Sequence, residues 1–157
     1  MLIGGVCYYM KLQNSFKSEF RNKKILITGG TGSIGIGLIK QLLPYKPKII
    51  KVFTNDENSI FESIRKFGKN PVIYYAMGDV RDKERLDFVI RGIDIVFHAA
   101  AMKHVDICEE NPFDAVKTNV IGTSNMIEAS IKENVSKFIL ISTDKATLPS
   151  TTLGASK

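Results

Sequence analysis

The sequence predicts an α/β chain whose strands form one doubly wound parallel sheet. Three observations lead there. A short apolar run of β type, from Lys23 to Thr28, breaks into the glycine turn Gly29-x-x-Gly32-x-x-Gly35 and passes straight into a helical pattern. Further along, near-continuous apolar strand runs alternate with helical segments, which implies parallel strands covered on both faces. Finally, the residues just after each strand run are small or polar rather than core types, and ligands of such sheets bind at the carboxyl ends of the strands.

Taken in order, the first helix starts at the glycine turn and carries Ile34, Leu38, Ile39, Leu42 and Leu43 as its inner side, with Pro44 and Pro47 closing it. Lys48 to Thr54 reads as the second strand. Asp56 can cap a helix running to Phe67, with Ile60, Phe61, Ile64 and Phe67 inward. Gly68 and Asn70-Pro71 end it, and Val72 to Met77 is a third strand. Asp82 to Arg91 is helical with Leu86, Val89 and Ile90 inward, Gly92 stops it, and Ile93 to His98 is a fourth strand. A long helix from about Pro112 to Asn134 carries Phe113, Val116, Val120, Met126, Ile127 and Ile131, and Lys137 to Ser142 is the fifth strand. Right-handed crossovers with the glycine turn at the switch point give the order 3-2-1-4-5, with Gly32 at a helix N-terminus.

Length and composition narrow the function classes. A chain of 157 residues with 44% hydrophobic residues suits one folded domain with a real core. The net charge of +6 is spread out, and no stretch interleaves basic with aromatic residues, so nucleic-acid binding is not expected. Affinity for an anionic small molecule accounts for the charge equally well. Cys7 and Cys108 lie far apart without metal-type spacing, so free thiols in a reducing cytoplasm and no metal are expected. The apolar stretch Met1 to Met10 is too short to span a bilayer and lacks a leader's basic flank. Residues 1–22 read as an N-terminal extension, with Met1 or Met10 as the start, and 23–157 as the domain.

The chemistry gathers at the strand ends. After the first strand, backbone N–H groups and the positive end of a helix dipole can hold a pyrophosphate, which makes the glycine turn a dinucleotide site or, more plainly, a tight turn. Strand two ends Thr54-Asn55-Asp56-Glu57, and neither a carboxylate nor an arginine stands first to select NAD or NADP. Strand three ends Gly78-Asp79-Val80-Arg81-Asp82, where Asp79 can cap the next helix. The small residues Ala99, Ala100 and Ala101 after strand four let a flat ring or a ribose lie against the backbone. Strand five ends Ser142-Thr143-Asp144-Lys145, whose adjacent carboxylate and amine are either an acid/base pair or a surface ion pair. Acid/base work would require each pKa to move towards neutrality.

These blocks, Thr28 to Gly35, Gly78 to Asp82, His98 to Val105, Thr118-Asn119-Val120-Ile121-Gly122-Thr123 and Ser142 to Ala146, together resemble the extended short-chain dehydrogenase/reductases. Within that family, Met102-Lys103-His104 and the last block are similar to the inverting UDP-N-acetylglucosamine 4,6-dehydratases of surface polysaccharide and glycan synthesis. The resemblance runs from about Lys23 to Lys157 and implies a Rossmann-like NAD(P)-binding domain. It implies C4 oxidation of a nucleotide sugar, loss of water across C5–C6 and return of the hydride, on a tightly bound, recycled NAD(P). It places Gly29, Thr31, Gly32, Ser33, Ile34, Gly35, Thr54, Asn55, Asp79, Val80, Ala99, Ala100, Ala101, Asn119 and Lys157 at the cofactor, and Lys103 at the substrate. Thr143 would bond the C4 oxygen, Asp144 would protonate the C6 hydroxyl and Lys145 would take the C5 proton, with Lys157 completing the catalytic set.

Two features depart from that pattern. Leu153 stands where the family's Tyr-x-x-x-Lys motif, ending here at Lys157, has its tyrosine. The sequence also stops at the helix expected to carry Lys157, so the sheet is expected to be truncated after its fifth strand and a C-terminal substrate domain to be absent. Three readings follow. They are the cofactor half of a dehydratase, working as a homo-oligomer or with a complementing C-terminal polypeptide; an NAD(P)-binding module without turnover; and an inactive remnant.

Overall fold

The computed structural model describes residues 17–157, so the expectations for Met1 to Met10 and for Cys7 lie outside the described residues. Five strands, β1 (Lys24–Thr28), β2 (Ile49–Thr54), β3 (Ile73–Met77), β4 (Ile95–His98) and β5 (Lys137–Leu140), form one sheet in the order β3-β2-β1-β4-β5. Every pairing is parallel, and the register sets Thr28 level with Phe53 on one side and His98 on the other. The carboxyl ends of β1, β2 and β4 therefore reach one edge together. This is a Rossmann-like sheet.

Strand alternation divides the apolar side chains between the two faces. Leu26, Phe53 and Val96 meet Leu86, Val89 and Ile90 of α3 (Lys83–Val89) and the turn after it, and Met126 and Ala129 of α6 (Gly122–Lys132). On the other face, Ile25, Ile27, Ile50, Val52, Ile95 and Phe97 meet Ile39 and Leu42 of α1 (Ser33–Leu42). Each fully buried aliphatic contributes about 1.5–3 kcal/mol. Phe20 joins this second cluster, 6.3 Å from the Phe97 ring, so the end of the N-terminal extension packs on the sheet.

In three helices some of the apolar residues expected inward lie outside, although Ile39, Leu42 and Met126 are buried as expected. In α1, Gly35 presses against Gly30, where a Cβ would come within 2.4 Å of backbone. That contact fixes the helix rotation, buries Gly35, Ile39 and Leu42, and leaves Ile34 53% exposed. In α2 (Glu57–Phe67) the buried position is Ser63, whose hydroxyl shares a 2.8 Å hydrogen bond with Tyr75, while Phe61 is 63% exposed and Ile64 also faces out. The long helix is three pieces: α5 (Pro112–Ala115), a π-helical stretch over Val116–Ile121, and α6. Its inner face is Ala115, Asn119, Gly122, Met126, Ala129 and Ser130, and Gly122 lies so close to Val80 that a Cβ would reach 2.6 Å from it. Small residues let the helix approach closely, which puts Phe113, Val116, Val120, Ile127 and Ile131 outside. A short helix not foreseen, α4 (Val105–Glu110), precedes it. The last element, α7 (Thr152–Ser156), packs on α4.

One buried hydrogen-bond chain ties β1, β4 and the π-helical stretch together. The Thr123 hydroxyl donates its one proton to the Asn119 carbonyl at 2.6 Å, so its oxygen, 3.1 Å from His98 Nε2, accepts. His98 therefore carries its proton on Nε2, and Nδ1 accepts from the Thr28 hydroxyl at 2.8 Å. Thr28 Oγ1 in turn accepts from the Ala100 N–H at 3.2 Å. This arrangement requires a neutral imidazole, and burial, with a smaller effect from the Lys157 charge, lowers the His98 pKa to about 4.

Two predictions arise here. Met126→Ala should cost about 2–5 kcal/mol in chemical denaturation, whereas Ile131→Ala, at a position 72% exposed, should stay within about 0.5 kcal/mol. The unfolded chain binds a proton at His98 near pH 6.5 and the folded chain only near 4, so stability is fully present above pH 6.5 and is lost as pH falls towards 4. The loss amounts to about 3 kcal/mol, and denaturant midpoints measured across that range should decline in wild type and flatten in His98→Asn.

Candidate functional site

At the edge where the strands end, the glycines of the turn have different causes. Gly29 has φ +60°, and a Cβ on it would lie 2.8 Å from the Ala100 backbone and the Ala99 carbonyl. Gly30 is pinned between the Ile27 carbonyl and Val52, and Gly35 lies on Gly30. These three are glycines because the protein leaves them no room. Gly32 is not constrained in this way, since its Cβ would meet only the Gly29 carbonyl, at 3.3 Å. It lies at the N-cap of α1, where no side chain caps the helix and no acidic residue stands in the first turn. The positive end of the helix dipole is thus left open towards a cleft of about 530 Å³, a volume within the range of small-molecule sites.

That cleft brings together Gly29, Thr31, Gly32, Thr54, Asn55, Asp79, Val80, Ala99, Ala100, Ala101 and Lys103 of the residues read from the sequence. Thr31, Thr54 and Ser59 form a hydroxyl cluster at the end of β2: Ser59 Oγ lies 2.8 Å from Thr31 Oγ1 and 2.8 Å from the Asp56 carbonyl, which can only accept, and Thr31 Oγ1 lies 3.2 Å from Thr54 Oγ1. Next to it, Asn55 Nδ2 donates to Asp79 Oδ2 at 3.3 Å, and Arg81 grips Asp79 through Nε at 3.0 Å and Nη2 at 2.7 Å. Arg81, Phe53, Ser59, Met102, Asp114 and Thr118 also line the cleft and escaped the sequence reading. The motif Gly78-Asp79-Val80-Arg81-Asp82 carried the signal for Arg81, but the contact with Asp114 spans 33 residues and leaves none.

Other predicted residues stand elsewhere. Ser33 lines a smaller groove between α1 and α2, Ile34 faces out, and Gly35 is inside the turn. Asn119 is buried and works as a clamp. Its Oδ1 accepts from the Met102 N–H at 2.8 Å, and its Nδ2 donates to the Met102 carbonyl at 3.1 Å and to Ser156 Oγ at 2.9 Å. It joins the end of the alanine shelf to the helix before Lys157. Lys157 faces a separate groove of about 320 Å³, where its ammonium donates to the Ile141 carbonyl at 2.7 Å and burial lowers its pKa. Leu153 is 4% exposed and packs with Cys108 and Ala115 beside Met102, a core position.

Thr143, Asp144 and Lys145 lie after β5, outside the main cleft. Thr143 caps the turn, donating to Asp144 Oδ1 at 2.9 Å and accepting from the Lys145 N–H at 3.4 Å. The Thr143 hydrogen bond, then the Lys145 charge, hold the exposed Asp144 carboxyl below the ordinary carboxylate range. It is ionised, which is the reverse of what a general acid needs.

Among the described residues no group of His, Cys, Asp and Glu side chains could hold a metal ion, and no helix is long and apolar enough to cross a membrane.

The comparisons agree on a family. Its model, described as polysaccharide biosynthesis protein, matches residues 25–157. An inverting UDP-N-acetylglucosamine 4,6-dehydratase of Campylobacter jejuni is 50% identical over 139 residues, covering 88% of this chain and 41% of that protein. The structure of Pen from Bacillus thuringiensis superposes with a TM-score of 0.86 at 43% identity, over 88% of this chain and 43% of its own. A double mutant of DesIV, a dTDP-glucose 4,6-dehydratase of Streptomyces venezuelae solved with NAD bound, gives a TM-score of 0.79 at 26% identity over 85% of this chain and 48% of its own. The chain thus spans less than half the length of these relatives. With the glycine turn, the alanine shelf and the sheet order all in place, the chain belongs to the polysaccharide biosynthesis protein family.

Proposed function

We propose that residues 23–157 form the NAD(P)-binding portion of a nucleotide-sugar 4,6-dehydratase acting on UDP-N-acetylglucosamine in surface polysaccharide or glycan synthesis. The observation that carries this reading is Gly32, whose Cβ would meet only the Gly29 carbonyl and whose missing side chain leaves a space at an open helix N-terminus. A pyrophosphate fits that space, with the ribose by Thr54 and Asn55 and the nicotinamide half along Ala99, Ala100 and Ala101. The substrate class rests on the dehydratase relative, and the Streptomyces neighbour favours a nicotinamide cofactor without separating NAD from NADP. A cytoplasmic setting suits the free thiol of Cys108.

A nicotinamide held along Ala99, Ala100 and Ala101 would supply the hydride chemistry, oxidation at C4 of the sugar and reduction at C6. This chain's residues would do the rest. Lys103 would contact the substrate and Thr143 would bond the C4 oxygen. Lys145 would take the C5 proton and give it back as the hydride reaches C6, and Asp144 would protonate the departing C6 hydroxyl. With Leu153 in the tyrosine's place, the C4 hydroxyl proton would have to pass to solvent. Asp144 is ionised while exposed, so burial beneath the sugar must raise its pKa before it can donate. Lys157 must leave the Ile141 carbonyl to reach a ribose.

A second reading, nucleotide binding without turnover, is favoured by Leu153, a core side chain that cannot ionise where the family has its tyrosine. Product separates the two. The chain alone should form no product. With the C-terminal portion of a dehydratase relative supplied, formation of the 4-keto-6-deoxy sugar from UDP-N-acetylglucosamine, followed by mass spectrometry as loss of water, supports the dehydratase, and cofactor binding without product even then supports the second.

Gly32→Val should weaken NAD(P) binding by more than about 100-fold, roughly 3 kcal/mol, with a much smaller loss of stability, about 1 kcal/mol, from the poorer N-cap and the Gly29 carbonyl contact. Calorimetry showing equal affinity in wild type and variant would overturn the cofactor assignment. Leu153→Tyr should lower stability by about 1–3 kcal/mol, because it overfills the Cys108–Ala115 cluster.

A further inference from the structure

The short helix α7 is tied at both ends. At its start, Glu109 of α4 receives the Thr152 N–H on Oε1 at 2.6 Å and the Thr152 hydroxyl on Oε2 at 3.0 Å. At its end, Asn119 joins Ser156 to the Met102 backbone. Five residues are too few to hold a helix by its own hydrogen bonds. Thr151 caps one of the first amides, that of Gly154, and Glu109 supplies the acceptor for another from 43 residues back. A carboxylate makes the stronger, charge-assisted kind of bond there.

Two residues assigned to the chemistry depend on where α7 lies. Gly154 rests on the Lys145 carbonyl, where a Cβ would come within 2.4 Å of the oxygen, so the turn that presents Asp144 and Lys145 is braced by the helix. Lys157 follows Ser156 directly, so the helix end fixes the point from which its ammonium reaches. Glu109 itself is exposed, lies outside the main cleft and forms no ion pair among the described residues. Both of its bonds go to Thr152.

We propose that Glu109 is a positioning residue. By gripping Thr152 it sets the orientation in which α7 presents Lys157 and braces the Lys145 turn, and so governs the hold on the nicotinamide half of the dinucleotide. This inference rests on the reading of the cleft as a dinucleotide site with Lys157 at a ribose.

The test is calorimetry on the full chain with NAD, NADP and ADP, which lacks the nicotinamide half, with denaturant midpoints as a folding control. Glu109→Ala should weaken the dinucleotide by about tenfold, the worth of one hydrogen bond to a charged group, while ADP binds as in wild type. Glu109→Gln keeps an acceptor for the Thr152 N–H and a donor for its hydroxyl, and should restore most of that loss. Thr152→Val removes the hydroxyl bond alone. It should weaken the dinucleotide less, and cost nothing more in a Glu109→Ala background. A clamp that only stabilised the fold would lower the midpoint and weaken dinucleotide and ADP alike, or neither. Either result overturns the proposal, as does a Glu109→Gln variant no better than Glu109→Ala. If dinucleotide binding is lost in Gly32→Val but its ratio to ADP is unmoved in Glu109→Ala, the cofactor reading stands and this inference falls. If wild type binds neither NAD nor NADP, the cofactor reading falls and takes this inference with it.

Discussion

The rest of the site depends on the approach of the glycine turn to the carboxyl end of β4. Gly29 sits in the left-handed region with its α-carbon facing the Ala99–Ala100 backbone, at a separation that no Cβ could share. The parallel register delivers Thr28 beside His98, and the chain beyond each strand must then turn away within a residue or two. With Gly29 that close, Ala100 can donate to Thr28, and the shelf and the turn become two walls of one cleft. A side chain at Gly29 would push the walls apart and break the hydrogen-bond chain behind them.

Much of the fold was legible because strands β1 to β5 are apolar along both faces and are punctuated by Gly, Pro and Asn. Strand order followed from handedness and the glycine turn, and the structure has that order. Helix rotation was legible only in part: Leu86, Val89 and Ile90 lie inward as their spacing predicts, as do Ile39, Leu42 and Met126. Apolar spacing predicts Ile34, Phe61, Ile64, Val120 and Ile131 inward, but Gly35 and Gly122 lie inside because a Cβ there would strike a neighbour, and Ser63 and Asn119 lie inside held by hydrogen bonds. Close packing by absence of a side chain leaves no hydrophobic period to count.

The site was half legible for a related reason. Residues at the strand ends, such as Thr54, Asn55, Asp79 and the three alanines, follow from topology and line the cleft. Residues whose part depends on a distant partner do not. Arg81 needs Asp114, and Asn119 needs Met102 and Ser156 before either can be understood. Asp144 and Lys145 were readable as neighbours, but their exposure and the Thr143 bond that keeps Asp144 ionised were not.

The chain from the Ala100 amide to the Asn119 carbonyl also has a direction. Its first donor is a backbone N–H that cannot accept, and its last acceptor is a carbonyl that cannot donate. Every hydroxyl between them is committed to one orientation, and the sequence of donors cannot be reversed by turning protons in place. A buried histidine just behind a cleft of this size would ordinarily be suspected of carrying protons. Here it is wired at both nitrogens into a one-way line with no free end, which makes it an insulator: it braces β1, β4 and the π-helical stretch while keeping its proton out of any chemistry next door.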